Sequence, residues 1–130
     1  NLSTFVERED LTGEEVEVNV VRLDDMFKDK KVDFIRMDVE GYEGEILKGA
    51  ENILSSNRKP KYFFIEVHSE LLHKKNSSAR DIVEFLGKYG YEIHKSFWRG
   101  GSEFVASSKA EMLEHELLEV GYWETFFELK

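Results

Sequence analysis

The stretch that decides the fold is FIRMDVEGYEGEILKGA, residues 34–50, where an apolar-rich run meets Arg36, Asp38 and Glu40 and then turns helical. Something with the look of a buried strand carries three ionisable side chains just where it ends. Residues 32–39 are apolar on both faces, the pattern of a central parallel strand covered on both sides. Beyond them Ile46, Leu47, Ala50, Ile53 and Leu54 recur at helical spacing and make one apolar stripe. Strand, turn and helix in succession are the repeating unit of an α/β sheet.

Working outward, the same unit recurs. Pro60 closes the helical region, and KYFFIEVH, residues 61–68, is a second near-continuous apolar strand. After a polar loop, SSARDIVEFLGKYG (residues 77–90) reads as a helix. Ser78 with Asp81 is a capping-box pattern, Ile82, Val83, Phe85, Leu86 and Tyr89 form the stripe, and Gly90 is the stop. YEIHKSFW, RGGS and EFVASS then read as two strands joined by a glycine-rich turn. Residues 109–120 read as a helix, and GYWETFFELK is an aromatic tail whose form the pattern leaves open. Upstream, VEVNVVRL (residues 16–23) alternates apolar and polar positions as a strand does, and residues 3–8 are placed to pair with it across LTGEE. Asp24 and Asp25 suit the cap of a short helical turn. No internal repeat or low-complexity linker divides the chain, so residues 1–130 are expected to form a single α/β domain with parallel strands and a terminal antiparallel hairpin.

Composition narrows the function. The 130 residues are 41% hydrophobic and 35% charged, which is globular, and the net charge of −9 repels a phosphate backbone. Nucleic-acid binding is therefore not expected. No apolar run approaches the roughly 20 residues that span a bilayer, so no membrane partner is expected either. With no cysteine, disulfides and cysteine metal sites are excluded. A soluble cytoplasmic protein is the expectation. The chain opens at Asn1, without Met, and enters a β-like segment almost at once, the look of a piece of something longer.

Strand alternation gives the opening puzzle a chemical answer. Phe34, Arg36, Asp38 and Glu40 share one face of the first strand, and Tyr62, Phe64, Glu66 and His68 share one face of the second. In an open parallel sheet, ligands bind outside the carboxyl ends of the strands. Neighbouring strands lie about 4.8 Å apart, so both would deliver a carboxylate to one rim and the second would add a histidine. Two carboxylates that close repel unless Arg36 or a cation neutralises them. The plainer alternatives are that Asp38 caps the next helix, that Glu40 and Glu43 favour its dipole, and that Arg36 forms a structural ion pair with Asp38 or Glu66.

These residues resemble a known family. Arg36-Met37-Asp38-Val39-Glu40-Gly41, followed by Glu45-Ile46-Leu47-Lys48-Gly49-Ala50, is similar to the signature of FkbM-type S-adenosylmethionine-dependent methyltransferases. VVRLDDMF and FFIEVH are similar to the flanking elements, and the resemblance covers about residues 16–91. Arg36 stands where lysine is commoner. The resemblance implies the C-terminal half of a Rossmann-like class I methyltransferase sheet, with FIRMDVEG as its fourth strand and FFIEVH as its fifth. It implies S-adenosylmethionine as cofactor, with Asp38 and Glu40 at its methionine end. Asp38, Glu66 and His68 are the expected catalytic residues, facing a small-molecule hydroxyl as methyl acceptor.

The residues also set limits on that reading. The glycine-rich turn and acidic ribose-binding residue that hold such a cofactor find no match here, because GYEG and RGG do not follow strands at the required spacing. Tight cofactor binding and activity are therefore not expected of this stretch alone. A non-catalytic, partner-binding module is the alternative. The strand at residues 32–39 would lie at a sheet edge, open to missing sequence or to a second copy of the chain. No metal site is assigned, although an ion bridging Asp38, Glu40 and Glu66 is conceivable for an oxygen cluster.

Overall fold

The computed structural model describes residues 13, 15–100, 103–107 and 122–130. In chain order the elements are α1 (Leu23–Met26), β1 (Phe34–Met37), α2 (Glu43–Lys48), α3 (Glu51–Leu54), β2 (Tyr62–Val67), α4 (Ser69–Lys74), α5 (Ala79–Lys88), β3 (Tyr91–Gly100), β4 (Glu103–Ser107) and β5 (Tyr122–Leu129). The strands form one sheet in the order β1-β2-β5-β3-β4. β1 and β2 are parallel, as the strand–helix–strand pattern predicts. β5 runs antiparallel to both β2 and β3, and β4 antiparallel to β3. The fold is thus mixed α/β.

The expected hairpin of β3 and β4 is present, and β4 gives the sheet the expected antiparallel edge. The aromatic tail is a further strand, β5, inserted between β2 and β3. Its alternation decides this: Trp123, Thr125 and Phe127 are buried, while Tyr122, Glu124 and Phe126 point to the other face. Residues 3–8 and 109–120 lie outside the described residues. Among the described residues β1 is the end strand on the other side, the edge position expected of it.

One sheet face carries the core. Met37, Phe63, Ile65, Val67, Trp123 and Phe127 pack beneath Leu47, Leu54, Leu72, Ile82 and Leu86 from the helices. Phe63 meets Tyr91 edge-on at 5.1 Å, and the Tyr91 hydroxyl donates to the Pro60 carbonyl. The opposite face is not covered by the described elements, contrary to the expectation of cover on both sides. There Phe34 and Tyr62 are exposed, and Phe64 stacks on Phe126 at 4.2 Å.

Two local expectations fail for stated reasons. Residues 15–22 form no strand, and Val16, Val18, Val20 and Val21 are all exposed. Alternation marks a chain able to be a strand, but a strand needs a hydrogen-bonded neighbour, and none pairs with this segment among the described residues. The helix expected across residues 46–54 is split at Gly49 because Asp24 takes both halves of its ladder. In an unbroken helix the Ile53 N–H would donate to the Gly49 carbonyl. Instead the Asp24 N–H donates to that carbonyl at 2.9 Å, and Asp24 Oδ1 accepts from Ile53 N–H at 2.9 Å. Asp24 Oδ2 accepts from Asn52 N–H at 3.0 Å. Asp24 therefore caps α3 rather than its own helix, whose N-cap Arg22 makes no side-chain capping bond. The polar loop after β2 contains α4, too short to show a period. By contrast α5 starts as predicted, with the Asp81 N–H donating to Ser78 Oγ at 3.1 Å, and ends at Gly90 with φ +92°.

Candidate active site

Parallel pairing sets Arg36 opposite Phe64 and Met37 opposite Ile65. Continuing that register brings Asp38 level with Glu66, on the same face of the sheet at its carboxyl edge. Asp38, Glu66 and His68 each place a ligand-type atom there, all within 4.8 Å of one another. Both strands were expected to deliver these three side chains to a single rim, and the structure brings them together. Glu40 does not join the cluster. It lies in the following turn with φ +49°, next to Gly41 at φ +100°.

His68 is the hub. Its Nε2 lies 3.6 Å from Asp38 Oδ1 and 3.7 Å from Glu66 Oε2. Both separations are too long for good hydrogen bonds, and Nε2 is buried without a hydrogen-bond partner. The ring is held by stacking on Tyr122, centroid to centroid 4.8 Å. On the far side of Glu66, Arg36 reaches Oε1 at 3.5 Å while its guanidinium lies over Phe64. The pair expected between Arg36 and Glu66 is therefore present, and it leaves Oε2 to His68.

The Glu66 side chain is 12% exposed and that of Asp38 39%. Burial pushes the Glu66 carboxyl up to about 7, helped by a hydrogen bond with Asp38 and by the Asp38 charge, while Arg36 pulls it down. Near neutral pH this rim can thus hold or release a proton, and the three side chains offer acid, base and metal-ligand chemistry in one place.

Sequence reasoning missed Glu43 as a site residue. It is fully buried on α2, with Oε1 accepting from the Gly41 N–H at 3.3 Å and Oε2 without a partner. Burial raises its carboxyl above the ordinary range, and the charges of His68 and Asp38 act on it from nearby. The missed signal was positional: 43, 47, 50 and 54 follow one helical stripe, and an acid on an apolar stripe is out of place. Glu43 fastens the left-handed turn that follows Asp38. Ser69 Oγ, next to His68, is likewise buried without a partner. A groove of about 550 Å³ lies elsewhere, lined by residues such as Lys48, Asn76, Asp81 and Phe85, and it takes in none of the three rim residues.

No helix among the described residues is long and apolar enough to cross a membrane. No curated protein and no solved structure matches the chain. The model of the methyltransferase FkbM domain does, over residues 1–93. That span takes in β1, β2 and the whole rim cluster, and the chain belongs to the FkbM methyltransferase family.

Proposed function

We propose that this protein is an S-adenosylmethionine-dependent methyltransferase that methylates a hydroxyl of a small molecule at the rim formed by Asp38, Glu66 and His68. The observation that carries this reading is the convergence of those side chains at the carboxyl ends of two adjacent parallel strands, within the span matched by a methyltransferase family. The strand order, with antiparallel β5 between β2 and β3, supports a Rossmann-like class I sheet seen from its C-terminal half.

The residues present fit one end of the cofactor better than the other. Asp38 stands on the rim where a methionine moiety would lie, and Glu40 is in the turn that follows it. The left-handed glycines among the described residues are Gly41 and Gly90, and a Cβ on Gly41 would stand 2.9 Å from the Leu71 Cβ. That turn is packed against its own chain and leaves no cradle for a nucleoside. The described residues therefore account for the reacting end alone.

The cofactor, when bound, supplies a methyl group on a good leaving group. What falls to this chain is to align the acceptor oxygen and to receive its proton. Asp38 and His68 are the two groups placed to receive it. Glu66, tied to Arg36, fixes the polar side of the rim, and Tyr122 holds the imidazole plane. The Phe64–Phe126 stack beside it offers an apolar wall to the acceptor.

The test uses the full-length protein. Calorimetric titration with S-adenosylhomocysteine should show saturable binding. Release of S-adenosylhomocysteine in the presence of hydroxylated acceptors should fall about a hundredfold or more in His68→Gln, the usual cost of a lost proton-transfer group, with product affinity nearly unchanged. Unchanged turnover would remove His68 from the mechanism, and absence of cofactor binding would remove the reading.

A further inference from the structure

Two carboxylates and an imidazole from neighbouring strand ends are a mixed oxygen and nitrogen donor set, different in kind from a solvated acidic patch. Three features set it apart. The nitrogen facing both carboxylates is buried and makes no hydrogen bond. The carboxylates approach it with one oxygen each, Asp38 Oδ1 and Glu66 Oε2, while the other Glu66 oxygen is occupied by Arg36. The imidazole stacks on Tyr122, which holds the plane of the ring.

The spacing is that of a coordination shell rather than of direct bonds. A divalent ion bonded at about 2.1–2.4 Å spaces adjacent ligand atoms about 3.0–3.4 Å apart and opposite ones about 4.2–4.8 Å apart. The separations here are 3.6 and 3.7 Å, with all three atoms within 4.8 Å. They are too long for hydrogen bonds and within the range that an ion bridges after slight movement of the side chains.

We propose that Asp38, Glu66 and His68 bind one divalent cation, of the Mn²⁺ or Mg²⁺ class, through Oδ1, Oε2 and Nε2. Two oxygens to one nitrogen suit a hard, oxygen-preferring ion, and three protein ligands leave positions open for water or an acceptor oxygen. The ion would also relieve the repulsion between two converging carboxylates. Binding stands on the geometry alone, whereas its use in catalysis rests on the methyl-transfer reading above. In that case a hydroxyl on the ion loses its proton more readily. With Nε2 engaged, the outer oxygen of Asp38 is left to accept it.

The experiment is a titration of the full chain with Mn²⁺ alone, without cofactor or acceptor, read by loss of the free-ion electron paramagnetic resonance signal and by calorimetry. The expected result is one ion per chain, displaced by Mg²⁺, with affinity lowered at least tenfold in Asp38→Asn and in His68→Gln. Asp38 is the most exposed of the three, so its variant keeps the test free of folding effects, which circular dichroism verifies. Glu45→Gln, in the separate groove, should bind as the unaltered chain does. No binding at millimolar Mn²⁺, or equal binding by Asp38→Asn, would overturn the proposal. Either result leaves the methyl-transfer reading standing, since S-adenosylhomocysteine binding is measured separately.

Discussion

Replacing Glu66 with glutamine should change how the stability of the fold responds to pH. In the folded chain the Glu66 carboxyl keeps its proton up to about pH 7, against an ordinary value of 4.5. Burial is the main cause, with the hydrogen bond and charge of Asp38 adding to it. Between those two values the native state binds more protons than the unfolded state, so stability falls as pH rises. The stabilising effect is whole below the unfolded value and gone above about 7. At about 1.4 kcal/mol for each pH unit, the full swing is about 3 kcal/mol. The side chain is only 12% exposed, so solvent screening reduces this little. Urea unfolding with chelator present, from pH 4.5 to 8, reads the effect as a difference between the unaltered chain and Glu66→Gln. That difference should shift by about 3 kcal/mol across the range. In Asp38→Asn the swing should shrink without vanishing, because burial persists when the neighbouring charge is removed. Parallel stability curves for the unaltered chain and Glu66→Gln would refute the reasoning, since they would mean that Glu66 titrates alike in both states.

Other perturbations test the scaffold beneath the rim. Asp24→Ala strips two charge-assisted bonds from the Asn52 and Ile53 N–H groups and should cost about 2–3 kcal/mol in denaturant unfolding. Asp24→Asn, which keeps one acceptor, should cost roughly half as much. Gly41→Ala forces a side chain to φ +100° and to 2.9 Å from the Leu71 Cβ, and a loss of about 2–4 kcal/mol is expected in the same assay. Gly87→Ala is the contrasting case. Within α5 and with nothing within 4 Å of its added Cβ, it should stabilise by about 0.5–1 kcal/mol.

The rim was legible in the sequence because two short-range rules suffice for it. Alternation puts Asp38 on one face of its strand and Glu66 and His68 together on one face of theirs, and a helical crossover makes the two strands parallel neighbours, so the two faces coincide. Neither rule depends on distant residues. What stayed hidden depends on tertiary partners. The valines of residues 15–22 alternate properly, yet alternation cannot reveal that no strand pairs with them among the described residues. Asp24 is a capping residue by type, but the helix it caps begins 27 residues later, at Glu51, and no local pattern carries that information. The pattern of the aromatic tail leaves its form open, since aromatic residues stand side by side at Tyr122–Trp123 and Phe126–Phe127, and its place between β2 and β3 follows from the sheet alone. Glu43 was the legible miss: its place on the Leu47–Ala50–Leu54 stripe marked it as buried, and its charge drew the eye to the helix dipole instead.

The account turns on Asp38, Glu66 and His68 facing the transferred methyl group. The most direct test is nuclear magnetic resonance of the full-length protein with S-adenosylmethionine labelled at the methyl carbon. Cross-relaxation from that methyl to the His68 ring and to the Asp38 β-protons is the predicted result. A bound methyl that instead reports on the groove around Lys48 and Phe85, with no contact to His68, would contradict it.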